Sequence, residues 1–324
     1  MDFGSWCKGG PDRKVAEGFR QAAFAYFSYY LPVFALTTTQ ILVASSSVQS
    51  LTDILRDKRV RLFVGLAGFF VANAIIAEFM GVKLFSAERS LGLAPFSLTL
   101  FGQEGLAFNL SAGVLLWPFV FVLTDLINEY FGRRGVRFLS WLTVVLIAYG
   151  FLMYYLAIRL VPADFFPTMH LDALPAAERA VAARQVGDYN VAYALVFGQG
   201  LWIIVGSLVA FLLAQLIDVF VFQQIKKRTG EAQLWLRATG STFVSQLVDS
   251  FVVLFIAFYL SGQLGFVMIC ALAVVAYLYK VVMAVLLTPL IYLAHHGIDR
   301  YLGEVVSLEL RRNALGSGER PFDS

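Results

Sequence analysis

Residues 112–132 read AGVLLWPFVFVLTDLINEYFG. The stretch opens with an unbroken apolar run and then sets Asp125, Asn128 and Glu129 into its second half. Their i, i+3, i+4 spacing puts all three on one face of a helix. Crossing a bilayer takes about 20 mostly apolar residues, so the run reads as a membrane span. Two carboxylates and an amide on one stripe of such a span need a reason.

The rest of the chain extends that reading. Of its 324 residues, 59% are hydrophobic and only 15% are charged, with mean hydropathy +0.73. Soluble domains run at about 45–50% apolar and about 25% charged, and a soluble core could not hide this much apolar surface. The composition therefore implies a polytopic membrane protein. Cys7 and Cys270 form no spaced set, so neither a disulfide framework nor a zinc site is implied. A formal charge of +3 is too small and too dispersed for a nucleic-acid surface. The first 21 residues mix acids with bases and carry no early apolar run, unlike a secretory signal.

Six segments are long and apolar enough to span: 61–83, 108–130, 138–160, 190–222, 241–262 and 264–293. Pro118 and Pro289 are expected to kink their helices. Basic residues recur in alternate loops. Arg56, Lys58, Arg59 and Arg61 precede the first span, and Arg133, Arg134 and Arg137 follow the second. Lys226, Lys227, Arg228 and Arg237 follow the fourth, and Arg300, Arg311 and Arg312 follow the sixth. The intervening loops are poor in Lys and Arg, or balance them. The positive-inside rule then places both termini in the cytoplasm. The expected fold is an all-α integral membrane protein with six transmembrane helices, N-in/C-in. Residues 1–60 would be a cytoplasmic extension with an interfacial aromatic helix at 19–36, residues 61–296 the transmembrane domain, and residues 297–324 a cytoplasmic tail. AQLIDVFVF at 214–222 and SQLVDSFVV at 245–253 share Gln-x-x-Asp, a weak internal likeness that permits a 3+3 inverted repeat.

Polar residues at membrane depth carry the functional signal. Asp125, Asp249 and Lys280 would together cost roughly 8–10 kcal/mol if they faced lipid, so they must face one another or a hydrated cavity. Asn73 and Glu78 lie on span one, Gln199, Gln215 and Asp218 on span four, and Gln246 on span five. Plainer roles stay open. Glu129 could pair only with Arg133 or Arg134, Asp249 and Lys280 could be a structural ion pair, and Gln215 and Gln246 could simply hold helices together. His295 and His296 read as interfacial. No H-E-x-x-H, G-x-S-x-G or Walker sequence is present, so an enzyme is not expected.

Four stretches, in order and on the matching spans, carry a resemblance: WPFVFVLTDLINEYFG, AQLIDVFVF, TGSTFVSQLVDSFVVLFIAF and YLYKVVMAVLLTPLIYL. With them, residues 61–296 resemble the queuosine precursor transporter family, also called the vitamin uptake transporter family. The resemblance implies a multi-pass importer in the cell inner membrane that needs no cofactor or metal. Its substrates would be cyano- and aminomethyl-deazaguanine bases. It also implies a substrate-binding set of Asp125, Asn128, Glu129, Gln215, Asp218, Gln246, Asp249 and Lys280. Ser250 stands where the family pattern has Thr, which keeps the hydroxyl. The chemistry fits, because a carboxylate accepts the paired N–H donors of a guanine-like edge, and Trp117, Phe121 or Tyr277 could stack on its ring. The implied partners are a small deazapurine and the lipid bilayer, with no nucleic acid, and a homo-oligomer is compatible with them. The alternatives are the substrate-binding membrane subunit of a multi-component vitamin or nucleobase importer, and a membrane scaffold.

Overall fold

The computed structural model describes residues 56–230 and 233–316. The chain divides into two compact units, Met1–Val60 and Arg61–Ser324. Most of the first unit, including the expected interfacial helix at 19–36, lies outside the described residues. The second unit is helical. Five helices among the described residues are long and apolar enough to cross a membrane.

The first is Lys58–Met80 (α1). The second, Trp117–Ile158 (α2), contains two of the expected spans and is interrupted at Gly132, where φ is 69° and ψ is −173°. That conformation is open essentially to glycine alone, and it lets the chain turn back. Phe131 packs edge-on against Phe63, near the start of α1, with ring centroids 5.0 Å apart. Gly113 abuts Ala77, and Gly150 lies against Phe79, both near the end of α1. The two halves of α2 therefore run in opposite directions beside α1.

The third helical stretch is broken. Tyr189–Phe197 (α3) ends at Gly198, and Leu201–Thr229 (α4) begins after Gly200. The expected span over 190–222 is thus two helices, divided where the sequence reads FGQG. The fourth is Leu234–Leu254 (α5), continued by a π-helical turn over Phe255–Tyr259. The fifth, Phe266–Leu302 (α6), runs through Pro289 without stopping. A shorter helix, Glu304–Gly316 (α7), follows it and packs against α2 and α6.

Two expectations change here. Pro118 does not kink a span. It sits in the first turn of α2, where its missing N–H has no helical partner to lose. The span also begins later than residue 108. Asn109–Ser111 (β4) is a strand paired antiparallel with Leu84–Ser86 (β1), and Leu98–Leu100 (β2) pairs with Gln103–Leu106 (β3). The main chain of Phe108 donates to Glu88 at 2.7 Å, and this bond holds the Glu88 carboxyl below the usual carboxylate range. Leu106 packs on Ala271 and Val275, so this small β layer rests on the first turns of α6.

The first half of α2 is the axis of the bundle, with every residue from Val120 to Tyr130 buried. One side joins Phe70, Val136, Leu139 and Phe211 in a core shared with α1 and α4. The other joins Phe222, Ala238, Ile291 and Ile298 in a core shared with α4, α5 and α6. The stripe of Asp125, Asn128 and Glu129 runs between these two cores. Outward-facing Phe69, Ile76, Val145, Leu152, Leu286 and Leu293 stay exposed, as suits side chains with lipid for solvent.

Candidate functional site

A cavity opens between α2, α5 and α6. Pockets for small ligands combine apolar walls with a few placed polar groups. Trp117, Phe121 and Val122 of α2 and Leu287 of α6 form much of the apolar wall. The polar groups are Asp125 of α2, Thr239, Thr242 and Gln246 of α5, and Tyr279 and Lys280 of α6.

Each polar group is where it is because its helix turns one face inward. Asp125 lies about 12 Å along α2 from Trp117 at 1.5 Å per residue, and is 2% exposed. Its Oδ1 has no hydrogen-bond partner, and neither has Nε2 of the equally buried Gln246. Both residues line the cavity. Buried polar groups are nearly always paired, so an unsatisfied acceptor and an unsatisfied donor on two of its lining residues make this cavity the candidate site. Lys280 adds an ammonium, already held in an ion pair with Asp249. Asp249 stands behind Lys280 and is not part of the wall.

The remaining candidate residues tie helices together around this cavity. Asn128 Oδ1 accepts from Gln223 Nε2 at 2.7 Å. Gln215 Oε1 accepts from Thr124 Oγ1 at 2.9 Å. Ser245 Oγ lies 3.0 Å from Asp218 Oδ1. Glu129 is ion-paired with Arg237 at 2.8 Å and with Lys226 at 3.1 Å, and all three side chains are 0–1% exposed. Its partners are therefore these two bases, and not Arg133 or Arg134 beside it in sequence. Asp125 lies within electrostatic reach of Asp218, Glu129 and Arg237, so the cross-links are continuous with the cavity floor.

Of the eight candidates, Asp125, Gln246 and Lys280 meet at the cavity. Asp249 supports Lys280, and the other four brace α2, α4 and α5. Trp117 and Phe121 are on the wall as expected, but the wall tyrosine is Tyr279 rather than Tyr277. Lys226 and Arg237 were readable only as loop charges that set orientation, yet both point back into the bundle. Their signal was the excess of acids on the facing stripe. Gln223 falls one residue beyond the expected end of its span. His295, expected at the interface, lies against Tyr130 with the ring planes tilted by 40°, and its Nδ1 is 3.1 Å from Asp299 Oδ2. Asp299 also accepts from Tyr130 at 2.8 Å and from Ser307 of α7.

Residues 111–294 match the family model described as "Putative vitamin uptake transporter". A "Probable queuosine precursor transporter" of Bacillus subtilis (strain 168) is 29% identical over 160 residues, 47% of this chain and 58% of that one. A protein with the same description from Haemophilus influenzae is 25% identical over 207 residues, 59% of this chain and 75% of that one. The chain thus spans less than two thirds of the length of the Bacillus relative it matches. No solved structure matches it. With more than half its length covered by the family model, the chain belongs to the vitamin uptake transporter family, and it is a multi-pass membrane protein.

Proposed function

We propose, from that membership, that the chain is a secondary transporter that imports queuosine precursors, the cyano- and aminomethyl-deazaguanine bases, across the cell inner membrane. The description of its relatives supports the substrate class. The observation that carries the reading is the pairing of an unsatisfied carboxylate oxygen on Asp125 with an unsatisfied amide on Gln246 across one cavity.

A guanine-like base presents a ring N–H and an amino group side by side. A carboxylate accepts both in a paired, charge-assisted arrangement, and Asp125 takes that role. Gln246 Nε2 and the Lys280 ammonium are donors for the carbonyl and ring nitrogen. Trp117 and Phe121 offer faces for the ring, and such stacking is worth about 1–3 kcal/mol per base. Asn128, Glu129, Gln215, Asp218 and Asp249 act one step back, by holding the cavity residues in place. In this reading the bundle crosses the bilayer six times, the two halves of α2 counting separately, with both termini in the cytoplasm. The opposed contacts of Gly113 and Phe131 with α1 support that count.

Uptake of labelled base tests the proposal, in a strain that makes no precursor and lacks its own importer. Asp125→Asn replaces one acceptor oxygen with a donor that opposes a donor on the base. Uptake should fall by about a hundredfold or more, the scale of one lost charge-assisted bond and one unpaired buried group. Membrane expression should hardly change, because a neutral side chain is cheaper to insert. Near-normal uptake by the well-expressed variant removes Asp125 from the site. No uptake of either base by the unaltered protein removes the proposal. Uptake by the protein alone in liposomes separates a self-sufficient transporter from a subunit that needs an ATPase.

A further inference from the structure

A buried carboxyl stands outside the substrate cavity. Glu78, near the end of α1, is 7% exposed and meets Ser207 of α4. Ser207 Oγ touches two oxygens, Glu78 Oε1 and the backbone carbonyl of Ile204, the latter at 3.0 Å. A hydroxyl has one hydrogen to donate, and a backbone carbonyl can only accept. The single Ser207 hydrogen must be shared if Glu78 is ionised, whereas a protonated Glu78 can donate to Ser207 while Ser207 donates to Ile204.

The surroundings agree with that hydrogen count. The ion pairs among the described residues do not include Glu78. Asp249 of α5, a like charge, lies within electrostatic reach of it. Asn73, earlier on α1, donates to the Phe69 carbonyl instead. Asp249 is in turn ion-paired with Lys280 of α6, which lines the cavity. A line of charges thus leads from the cavity, through Lys280 and Asp249, to Glu78.

We infer that Glu78 is a proton-binding site that couples entry of the base to entry of a proton. The inference rests on the secondary-transport reading above and adds the coupling ion and the residue that carries it. The coupling has a physical route. A base that accepts a hydrogen bond from Lys280 draws the ammonium away from Asp249. The less compensated Asp249 charge then favours the proton on Glu78. By reciprocity, a proton on Glu78 favours the base in the cavity by the same factor. Two ligands that favour each other's binding cross together.

Two measurements test this, one with the base and one without. In liposomes with an alkaline interior and no sodium, the protein should accumulate labelled aminomethyl-deazaguanine about tenfold per pH unit, the ratio set by one proton per base. Glu78→Gln keeps the size and the Ser207 contact, and fixes the neutral state. It should lose the accumulation yet keep exchange of labelled for unlabelled base, which needs no gradient. Without any base, infrared spectra should show a protonated-carboxyl band component that is missing in Glu78→Gln. Accumulation by Glu78→Gln equal to that of the unaltered protein overturns the inference. Accumulation driven by sodium alone also overturns it. So does loss of proton drive in Asp218→Asn with retention in Glu78→Gln, because Asp218 and Ser245 allow a similar hydrogen count. If no base moves but the band component is present and missing in the variant, the transport reading fails and the proton site stands.

Discussion

At the residue scale, the polar stripe of α2 divides into two kinds of acid. Asp125 lines the cavity and keeps an unsatisfied oxygen, while Glu129, one turn on, is clamped between Arg237 and Lys226. The two should fail differently when neutralised. Glu129→Gln removes the negative charge that offsets two fully buried cations, and breaking a buried pair from one side costs about 3–5 kcal/mol. The variant should therefore unfold at a clearly lower temperature in detergent and reach the membrane poorly. Asp125→Asn should do neither. Thermal unfolding of the two purified variants side by side checks this, and equal midpoints would mean that the Glu129 cluster is not a structural clamp. Sequence alone marks Asp125 as inward-facing, because lipid exposure is too costly at its depth, and puts Glu129 on the same helix face while leaving it a plain pairing with Arg133 or Arg134. It could not divide their roles, since the division depends on Arg237 and Lys226. Those bases belong to a loop when read by hydropathy, and to the core when α4 and α5 are packed together.

At the scale of elements, hydropathy located the helices and missed their punctuation. The apolar runs were visible because spanning requires them. Their ends were set by local chemistry that a window of apolar residues averages away. Pro118 opens a helix instead of bending one, β4, paired with β1, replaces the start of an expected span, and Gly198–Gly200 splits another. Gly132 is the most consequential of these points. At φ 69° and ψ −173°, a side chain is strained, typically by on the order of 1–3 kcal/mol. Both halves of α2 pack against α1, so the strain cannot be relieved by straightening the helix. Gly132→Ala should lower the unfolding temperature. Gly68→Ala should leave it unchanged or raise it slightly, because its added methyl meets nothing within 4 Å and shortens the unfolded chain's list of conformations. Equal behaviour of the two variants would show that the turn at Gly132 does not depend on its conformation.

At the scale of the whole molecule, the basic segments gather at one end of the bundle. Tyr130, just before the Gly132 turn, bonds to Asp299 at the end of α6, and Asp299 bonds to Ser307 of α7. Lys226, at the end of α4, reaches Glu129 in the same region. The turn carrying Arg133, Arg134 and Arg137, the turn carrying Lys227 and Arg228, and the helix carrying Arg311 and Arg312 are thus neighbours in space. The alternation of basic loops was legible in sequence, and the packing adds that they share a face. An excess of positive charge at one face is the pattern that fixes orientation in a membrane, so this face is expected in the cytoplasm. The loop bearing Asp172 lies beyond the opposite end of α2's second half and should be outside. Single cysteines at Asp172→Cys and Arg228→Cys, both exposed positions, test this in a background lacking Cys7 and Cys270. An impermeant maleimide should label the Asp172→Cys protein in intact cells. It should label the Arg228→Cys protein only after the membrane is opened. Labelling of both from one side would remove one crossing between them. That would leave the pair α3 and α4 with no net crossing of the bilayer, and the six-span arrangement on which the import reading stands would fail.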